Sequence, residues 1–299
     1  MLTSPDGTKI WAESAGDASK PALVFIHGLS CTALGWDEQF ADPGLRYSFH
    51  LVRYEMRGHG RSGKPVEEED YESIKIAQDF RTVCEAFGVV KPFTDAYALA
   101  GSIVVDVVTA YGPDYISGII YVGGSILALH YHPVCRHPVM TSLFPVITSL
   151  TSDDLSAGAE EFVESCVKAP LTFPAKLLFM GGFIMQPRAA RYWSLKRSQD
   201  HAVWERTAGH LPVLIIQGKE DLHCLYETMI GIAKRIYDDV EVHLMNGVGH
   251  SPHFESPMET NRFIYDWLRR KTEVSGATCN TARGVLTYAS TLSQRRAKL

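Results

Sequence analysis

The chain has 299 residues, enough for one large domain or two smaller ones, and its composition (45% hydrophobic, 21% charged) is that of a globular protein. A net charge of −5 and the lack of a dominant basic stripe argue against a nucleic-acid partner. No apolar run reaches the ~18 residues that a membrane span needs, and the first residues lack the pattern of a secretory signal.

The first part of the chain alternates predicted strands with predicted helices. The predicted strands cover 8–14, 22–27, 49–54, 92–97 and 119–122. The run at 23–26 is continuously apolar, which is typical of a parallel sheet that is covered on both faces. Helical spacing of apolar residues predicts helices over 74–87, with Gly88 as the C-cap, and over 103–111.

This alternation stops near residue 126, and amphipathic helices rich in Met, Phe and Pro are predicted up to residue 208. It then resumes with strands at 213–216 and 240–244, a helix near 225–236, and a last helix with Ser256 as N-cap and Pro257 first. The order predicts an α/β fold, a doubly wound sheet with an inserted helical cap. The expected division is a core at 1–125 and 209–270, a cap at 126–208, and a polar C-terminal extension at 271–299.

Two predicted strand ends carry features of an oxyanion hole. His27-Gly28-Leu29 follows the first buried strand, and the glycine permits a sharp turn that directs the Leu29 N–H into a site. Ala96-Tyr97-Ala98-Leu99-Ala100 reads as a tight turn from strand to helix, with Ala98 at its apex and the Leu99 N–H as a second donor. Each pattern alone also fits an ordinary turn.

An acid and a base follow later strands. Asp221, in Gly218-Lys219-Glu220-Asp221, is the preferred acid, with Glu220 as the alternative. His250 follows the next strand and is placed to serve as a general base. We expect His253 to support it and His243 to be packed or exposed.

No metal ion or cofactor is expected. His130, His132, His137 and Cys135 have no usual metal-ligand spacing, and a loop that leads into the cap explains them better. The six cysteines are interpreted as free thiols. Among other potential nucleophiles, Ser102 should face the packing, and Cys31 has no evident base.

Taken together, these segments resemble the α/β-hydrolase superfamily over about residues 5–270. The motifs are Val24-Phe25-Ile26-His27-Gly28, Arg57-Gly58-His59-Gly60-Arg61-Ser62-Gly63, 91–101, 212–218 with Asp221, and Gly249-His250. The resemblance implies an eight-stranded, mostly parallel sheet under a helical cap. It places Ala98 on the nucleophile, Ala96 and Ala100 on the two elbow glycines, Asp221 on the acid and His250 on the base.

Ala98 has two possible explanations. A serine has been replaced by alanine to trap a ligand, or the protein is a natural pseudo-hydrolase. We favour replacement, because Asp221 and His250 persist together and alanine is the smallest change that removes Oγ. Against it, Ala96 and Ala100 already depart from the glycine pattern, and Asp95 is unusual in a buried strand. An epoxide hydrolase or dehalogenase of this fold would need a carboxylate at position 98.

The expected substrate is a small apolar acyl or polyketide-like ester, lactone or thioester, because the cap is rich in Met and Phe. Trp36, Tyr97 and Phe183 are predicted to contact it. Arg191 and Arg197 could hold an anion, although solvated helix charges are the preferred interpretation. The alternatives are a non-hydrolytic enzyme of this fold, catalysing condensation, cyclisation or isomerisation with His250 as base, or a ligand-binding pseudo-hydrolase.

The last residues, Ala297-Lys298-Leu299, resemble a C-terminal peroxisomal address, which implies an import receptor as partner and a peroxisomal location, with the cytoplasm as the alternative. With this address the chain resembles fungal peroxisomal α/β hydrolases of acyl or secondary metabolism. Acyl-CoA thioesters are then candidate substrates.

Overall fold

The computed structural model of the protein describes residues 1–274, and the predicted peroxisomal address lies outside them. The described residues are arranged around one eight-stranded sheet. Its strands are β1 (Leu2–Thr3), β2 (Lys9–Ala15), β3 (Ala22–Ile26), β4 (His50–Glu55), β5 (Phe93–Tyr97), β6 (Gly118–Val122), β7 (Val213–Gly218) and β8 (Val240–Met245).

The spatial order of the strands is β1-β2-β4-β3-β5-β6-β7-β8. The β1–β2 and β2–β4 pairs are antiparallel, and all the others are parallel. The eight-stranded, mostly parallel sheet predicted from the sequence is therefore confirmed. Its parallel strands end at one edge, where α/β folds of this kind bind their ligands.

Helices cover both faces of the sheet and build a cap. Those of the core are α1 (Asp37–Ala41), α2 (Pro43–Ser48), α3 (Ser73–Ala86), α4 (Gly101–Tyr111), α11 (Tyr226–Ile236), α12 (Pro252–Glu255) and α13 (Pro257–Val274). Those between β6 and β7 are α5 (His132–Cys135), α6 (Pro138–Ile147), α7 (Ser152–Ser165), α8 (Phe173–Met185), α9 (Arg188–Lys196) and α10 (Ala202–Thr207).

Each face of the sheet has its own apolar core. The helices α3, α4 and α11 pack on one face, where the buried residues include Phe80 and Val108. The helices α1, α2 and α13 pack on the other face, around Phe25 and Trp267. No helix within residues 1–274 combines the length and the apolar character needed to cross a bilayer.

The last helix continues past residue 270, where the sequence analysis ended the core. Contacts between residues one helical turn apart support this extension of the helix. Arg269 and Glu273 form an i,i+4 ion pair at 3.6 Å. The Thr272 hydroxyl also donates to the Leu268 carbonyl at 3.0 Å.

Candidate active site

The turn between β5 and α4 holds Ala98 in a backbone conformation that is rare for a residue with a side chain. Its φ is +49°, and such left-handed geometry costs a non-glycine residue about 1–3 kcal/mol. A single 3₁₀ turn, Ala98–Ala100, leads into α4. A Cβ on Gly101 would lie 2.6 Å from the Ile126 carbonyl oxygen, so the turn packs this closely only with glycine there.

The turn after β3 lies against this apex. A Cβ added to Gly28 would be 3.3 Å from the Ala98 Cβ. The His27 ring fixes this turn: its Nε2 accepts the Met56 N–H at 3.1 Å, so Nδ1 carries the proton and donates to the Gly28 carbonyl at 2.8 Å. Burial lowers the pKa of His27, which keeps the ring neutral.

The two predicted oxyanion donors meet at one cavity. Leu29 and Leu99 both line it together with Ala98. Within residues 1–274, neither backbone N–H has a protein acceptor. Two unpaired N–H groups beside the apex are what a developing oxyanion needs.

Asp221 and His250 form a buried pair at the same edge of the sheet. His250 Nδ1 lies 3.0 Å from Oδ1 and 2.9 Å from Oδ2 of Asp221. Burial by itself would raise the pKa of Asp221, but the charge and hydrogen bond of His250 lower it to about 2. The carboxylate is therefore ionised at neutral pH and holds His250 through Nδ1, and no group within residues 1–274 pairs with Nε2.

The alternative acid, Glu220, lies elsewhere. Its carboxylate accepts the Val248 N–H at 3.1 Å, and its own N–H donates to the Val248 carbonyl at 3.0 Å. Glu220 thus joins the loops that follow β7 and β8. Of the two candidate acids, the structure brings only Asp221 to His250.

Sequence reasoning missed two residues that hold the pair. Gln217 is completely buried; its Nε2 donates to Asp221 Oδ2 at 2.8 Å, and its Oε1 accepts the Gly124 N–H at 2.7 Å. A Cβ on Gly124 would lie 2.8 Å from Asp221 Oδ2 and 3.1 Å from His250 Cε1. The only sequence signal was an amide at the end of the apolar run 213–216.

An apolar cavity under the cap opens onto the Ala98 side of this arrangement. Tyr97, one of the predicted substrate contacts, forms part of its wall and fixes the base loop because its hydroxyl lies 2.8 Å from Ser251 Oγ. Cap residues that the sequence analysis did not select complete the wall: Tyr131, His132, Cys135, Met140, Phe162, Cys166 and Leu195.

The other two predicted substrate contacts, Trp36 and Phe183, do not line this cavity. Trp36 is buried against Phe25 and His253 and lines a second, smaller cavity on the other side of Tyr97. Phe183 lines neither cavity, because its ring lies under the Arg191 guanidinium at 3.7 Å inside the cap.

Arg191 and Arg197 of the cap are buried. The preferred interpretation from the sequence, that both are solvated helix charges, is wrong. Arg197 forms a buried two-pronged ion pair with Asp106 of α4, with N–O distances of 3.1 and 2.5 Å. Arg191 donates to Ser30 Oγ at 3.0 Å and to cap carbonyls that include that of Ile147 at 2.8 Å. Burial lowers the pKa of Arg191 to about 10. Both guanidinium groups are thus held by protein groups.

The other predicted histidines lie apart from the Asp221–His250 contact. His253 packs between Trp36 and Tyr97, at 4.4 Å from each ring, and burial lowers its pKa to about 3. His243 is 2.8 Å from Glu241 at the edge of the sheet.

The histidines near the start of the cap do not gather as one set. His130 instead lies with His201 and Glu205, and the potential ligand atoms are within 4.8 Å of one another. The two imidazoles stack at 3.5 Å with 16° between their planes. Because a metal ion binds in the plane of each ring, nearly parallel rings do not direct both nitrogens to one point.

Neither alternative nucleophile is activated. Ser102 Oγ is buried and donates to the Leu99 carbonyl at 2.9 Å. Burial raises the pKa of the Cys31 thiol to about 12, so the reactive thiolate is suppressed. The five cysteines in residues 1–274 are free, and Cys279 lies outside the described residues.

Comparison with known proteins assigns the chain to a family. The sequence profile of the Alpha/beta hydrolase family matches residues 23–263, more than half of the chain. The chain belongs to this family. The α/β hydrolase is similar to a solved structure from Burkholderia cenocepacia assigned as an aryl esterase, at 26% identity and a TM-score of 0.83, covering 91% of this chain and 98% of that one.

Curated relatives match over shorter stretches. The Mycobacterium tuberculosis protein assigned as the oxidoreductase EphD is 33% identical over 100 residues, which is 33% of this α/β hydrolase and 16% of that protein. Epoxide hydrolase 4 of Mus musculus is 22% identical over 132 residues, 44% of this chain and 36% of that protein. The chain thus matches well under two thirds of the length of these relatives.

Proposed function

We propose that this protein has the active site of a serine hydrolase for ester, lactone or thioester bonds, with Ala98 in place of the nucleophilic serine. One observation carries the proposal. Ala98 stands in left-handed backbone geometry at the strand–helix turn, in one cavity with the free Leu29 and Leu99 N–H groups and His250.

The backbone strain at position 98 supports a lost functional side chain. A residue with a Cβ is costly at φ +49°, and glycine would adopt this angle at much lower cost. A site that only needed the turn would therefore favour glycine. A serine tolerates the strain for the sake of its Oγ, and alanine retains the strain without that benefit.

With serine at position 98, the roles of the neighbours follow from their contacts. His250 Nε2 would take the hydroxyl proton and later return it to the leaving group. Asp221 would hold the Nδ1–H tautomer and stabilise the imidazolium, because it stays ionised well below neutral pH. The Leu29 and Leu99 N–H groups would bind the oxyanion of the tetrahedral intermediate.

The similarity to the mouse epoxide hydrolase does not change this proposal. That match is 22% identical over 44% of this chain, whereas the solved structure assigned as an aryl esterase is 26% identical and covers 91% of it, which supports an ester substrate. As it stands, the chain should hydrolyse esters only through water activated by His250, about a millionfold more slowly than with its nucleophile.

The test is the Ala98→Ser variant. We expect it to be labelled by a fluorophosphonate probe and to hydrolyse short p-nitrophenyl esters at least about 10³-fold faster than the unchanged chain. Labelling is followed by mass spectrometry of the peptide that contains position 98.

The matched control is Ala98→Gly, which relieves the φ strain but supplies no hydroxyl and should stay inactive. A second control, Ala98→Ser with His250→Gln, should lose the gained activity. If the folded Ala98→Ser variant is neither labelled nor active, the serine-hydrolase proposal is wrong.

A further inference from the structure

The cavity is built for an uncharged ligand. Among the described residues that line it, none carries a carboxylate, an ammonium or a guanidinium group. Besides His250, its walls include two imidazoles, His132 and His223. Burial lowers the pKa of His132 to about 4 and that of His223 well below its usual value, so both are neutral near pH 7.

His223 lies directly beside the proposed catalytic pair. Its backbone N–H donates to Asp221 Oδ1 at 2.7 Å, and its ring centre is 4.1 Å from that of His250. Its side chain extends from the acid loop to the cap helix α7, where Nε2 lies 2.8 Å from Ser165 Oγ. A ligand atom near His250 is therefore also near His223.

The contacts of Ser165 define the tautomer of His223. The Ser165 hydroxyl lies 2.8 Å from the Phe162 carbonyl, which can only accept, so the hydroxyl proton is used there. Ser165 Oγ must then accept from His223, which places the ring proton on Nε2. Nδ1 is left as a hydrogen-bond acceptor, and the hydrogen bonds that His223 forms within residues 1–274 use only Nε2 of the ring and the backbone.

An unpaired acceptor on an apolar wall selects among ligands. His223 is 8% exposed and lines the cavity, so a ligand that fills the cavity strips Nδ1 of water. This loss weakens binding unless the ligand donates a hydrogen bond to Nδ1. Ligands with a donor at that point are favoured over otherwise identical ligands without one.

We infer that the cavity selects uncharged acyl compounds that carry a hydroxyl or N–H group beside the carbonyl, and that His223 Nδ1 accepts the hydrogen bond of this group. This inference rests on the proposed function for one point, namely that the ligand's carbonyl is the one that would react at position 98. The preference itself is a property of binding and does not need the missing nucleophile.

The experiment compares three esters that differ in one group: ethyl butanoate, ethyl 2-hydroxybutanoate and ethyl 3-hydroxybutanoate. Binding to the unchanged chain, which does not turn them over appreciably, is measured by calorimetry. We expect one of the hydroxy esters to bind on the order of tenfold more tightly than ethyl butanoate. The His223→Phe variant, which keeps an aromatic ring and removes the acceptor, should bind all three nearly equally.

Met140→Leu is the matched control, because it changes the apolar wall of the same cavity at similar volume and should keep the preference. Should His223→Phe fail to fold, Ser165→Ala replaces it: without its Nε2 partner the ring is no longer fixed with Nδ1 as acceptor, and the preference should fall.

Equal binding of the three esters, no binding of any of them, or a hydroxyl preference that survives in His223→Phe would overturn the inference. Hydrolysis by Ala98→Ser is scored separately. If that variant is inactive while the hydroxyl preference depends on His223, the inference stands and the proposed function fails.

Discussion

Asp95 is a carboxylic acid in the middle of the sheet. It lies on β5 between Phe25 of β3 and Ile120 of β6, and it is fully buried. Neither carboxyl oxygen has a hydrogen-bond partner within residues 1–274. Burial raises the pKa of Asp95 well above 3.8, so between the unfolded and folded pKa values the folded protein holds a proton that the unfolded chain loses.

Asp95 should therefore make the stability of the protein depend on pH. Its raised pKa means that the folded state loses stability as the pH rises above about 3.8 towards the folded-state pKa. We expect Asp95→Asn to increase the free energy of unfolding at pH 8 by about 1–3 kcal/mol, and by less at pH 5. Urea unfolding at the two pH values measures the difference.

Glu161→Gln is the control, because it also removes one carboxylate but at an exposed position, and it should show no comparable pH effect. The prediction is contradicted if the difference in free energy of unfolding between Asp95→Asn and the unchanged protein is the same at pH 8 and at pH 5. The sequence marked Asp95 as unusual for a buried strand, but it could not show that both oxygens are unpaired.

At the scale of elements, the turn after β6 sets the distance between loops that are far apart in sequence. Gly123 and Gly124 both have φ of +56°. A Cβ on Gly123 would lie 1.9 Å from the His250 carbonyl oxygen, and one on Gly124 would press on the Asp221 carboxylate. The acid and base loops can approach β6 only because this turn has no side chains.

Gly124→Ala should therefore disturb the Asp221–His250 pair. Introduced together with Ala98→Ser, it should lower kcat about 10²-fold relative to Ala98→Ser alone, because small displacements of reacting groups have large effects on rate. Steady-state kinetics of ester hydrolysis measure the change.

The control is Gly181→Ala in α8, where an added Cβ meets no atom within 4 Å. It should leave kcat unchanged and stabilise the exposed helix slightly. Equal activities for the two alanine variants would show that the turn does not position the pair.

Most strands and core helices could be predicted because their apolar periodicity is local. The strand predicted at 22–27 is observed at Ala22–Ile26, and that at 240–244 is observed at Val240–Met245. The roles of Gln217 and Gly124 could not be predicted in this way, since they depend on which loops meet. The same is true of Phe183, whose side chain points into the cap rather than the cavity.

At the scale of the whole molecule, the cap is tied to the core by buried polar contacts. Arg197 follows α9, and Asp106 lies on α4, 91 residues earlier. Both side chains are buried. A charge pattern along one helix could not reveal this partner, which is why the arginine was interpreted as solvated.

Arg197→Met should leave the Asp106 carboxylate buried without its cation, with only the Gln199 amide still donating to it, and destabilise the protein by about 3–5 kcal/mol. The double variant Arg197→Met with Asp106→Leu should recover much of this loss, because no buried charge remains. Denaturant unfolding of the two single variants and the double variant gives the coupling free energy. Additive effects of the two changes would mean that the ion pair does not couple cap and core.

The conformation of Ala98 has a practical consequence. The turn keeps its left-handed form without a serine hydroxyl, so the neighbouring glycines and the packed loops must hold it. Under the proposed function, the protein keeps its recognition surfaces while its bond-breaking step is disabled, so it should retain what it binds. Immobilised and exposed to a metabolite extract, the unchanged chain should enrich its own physiological ligand, which mass spectrometry of the eluate would identify.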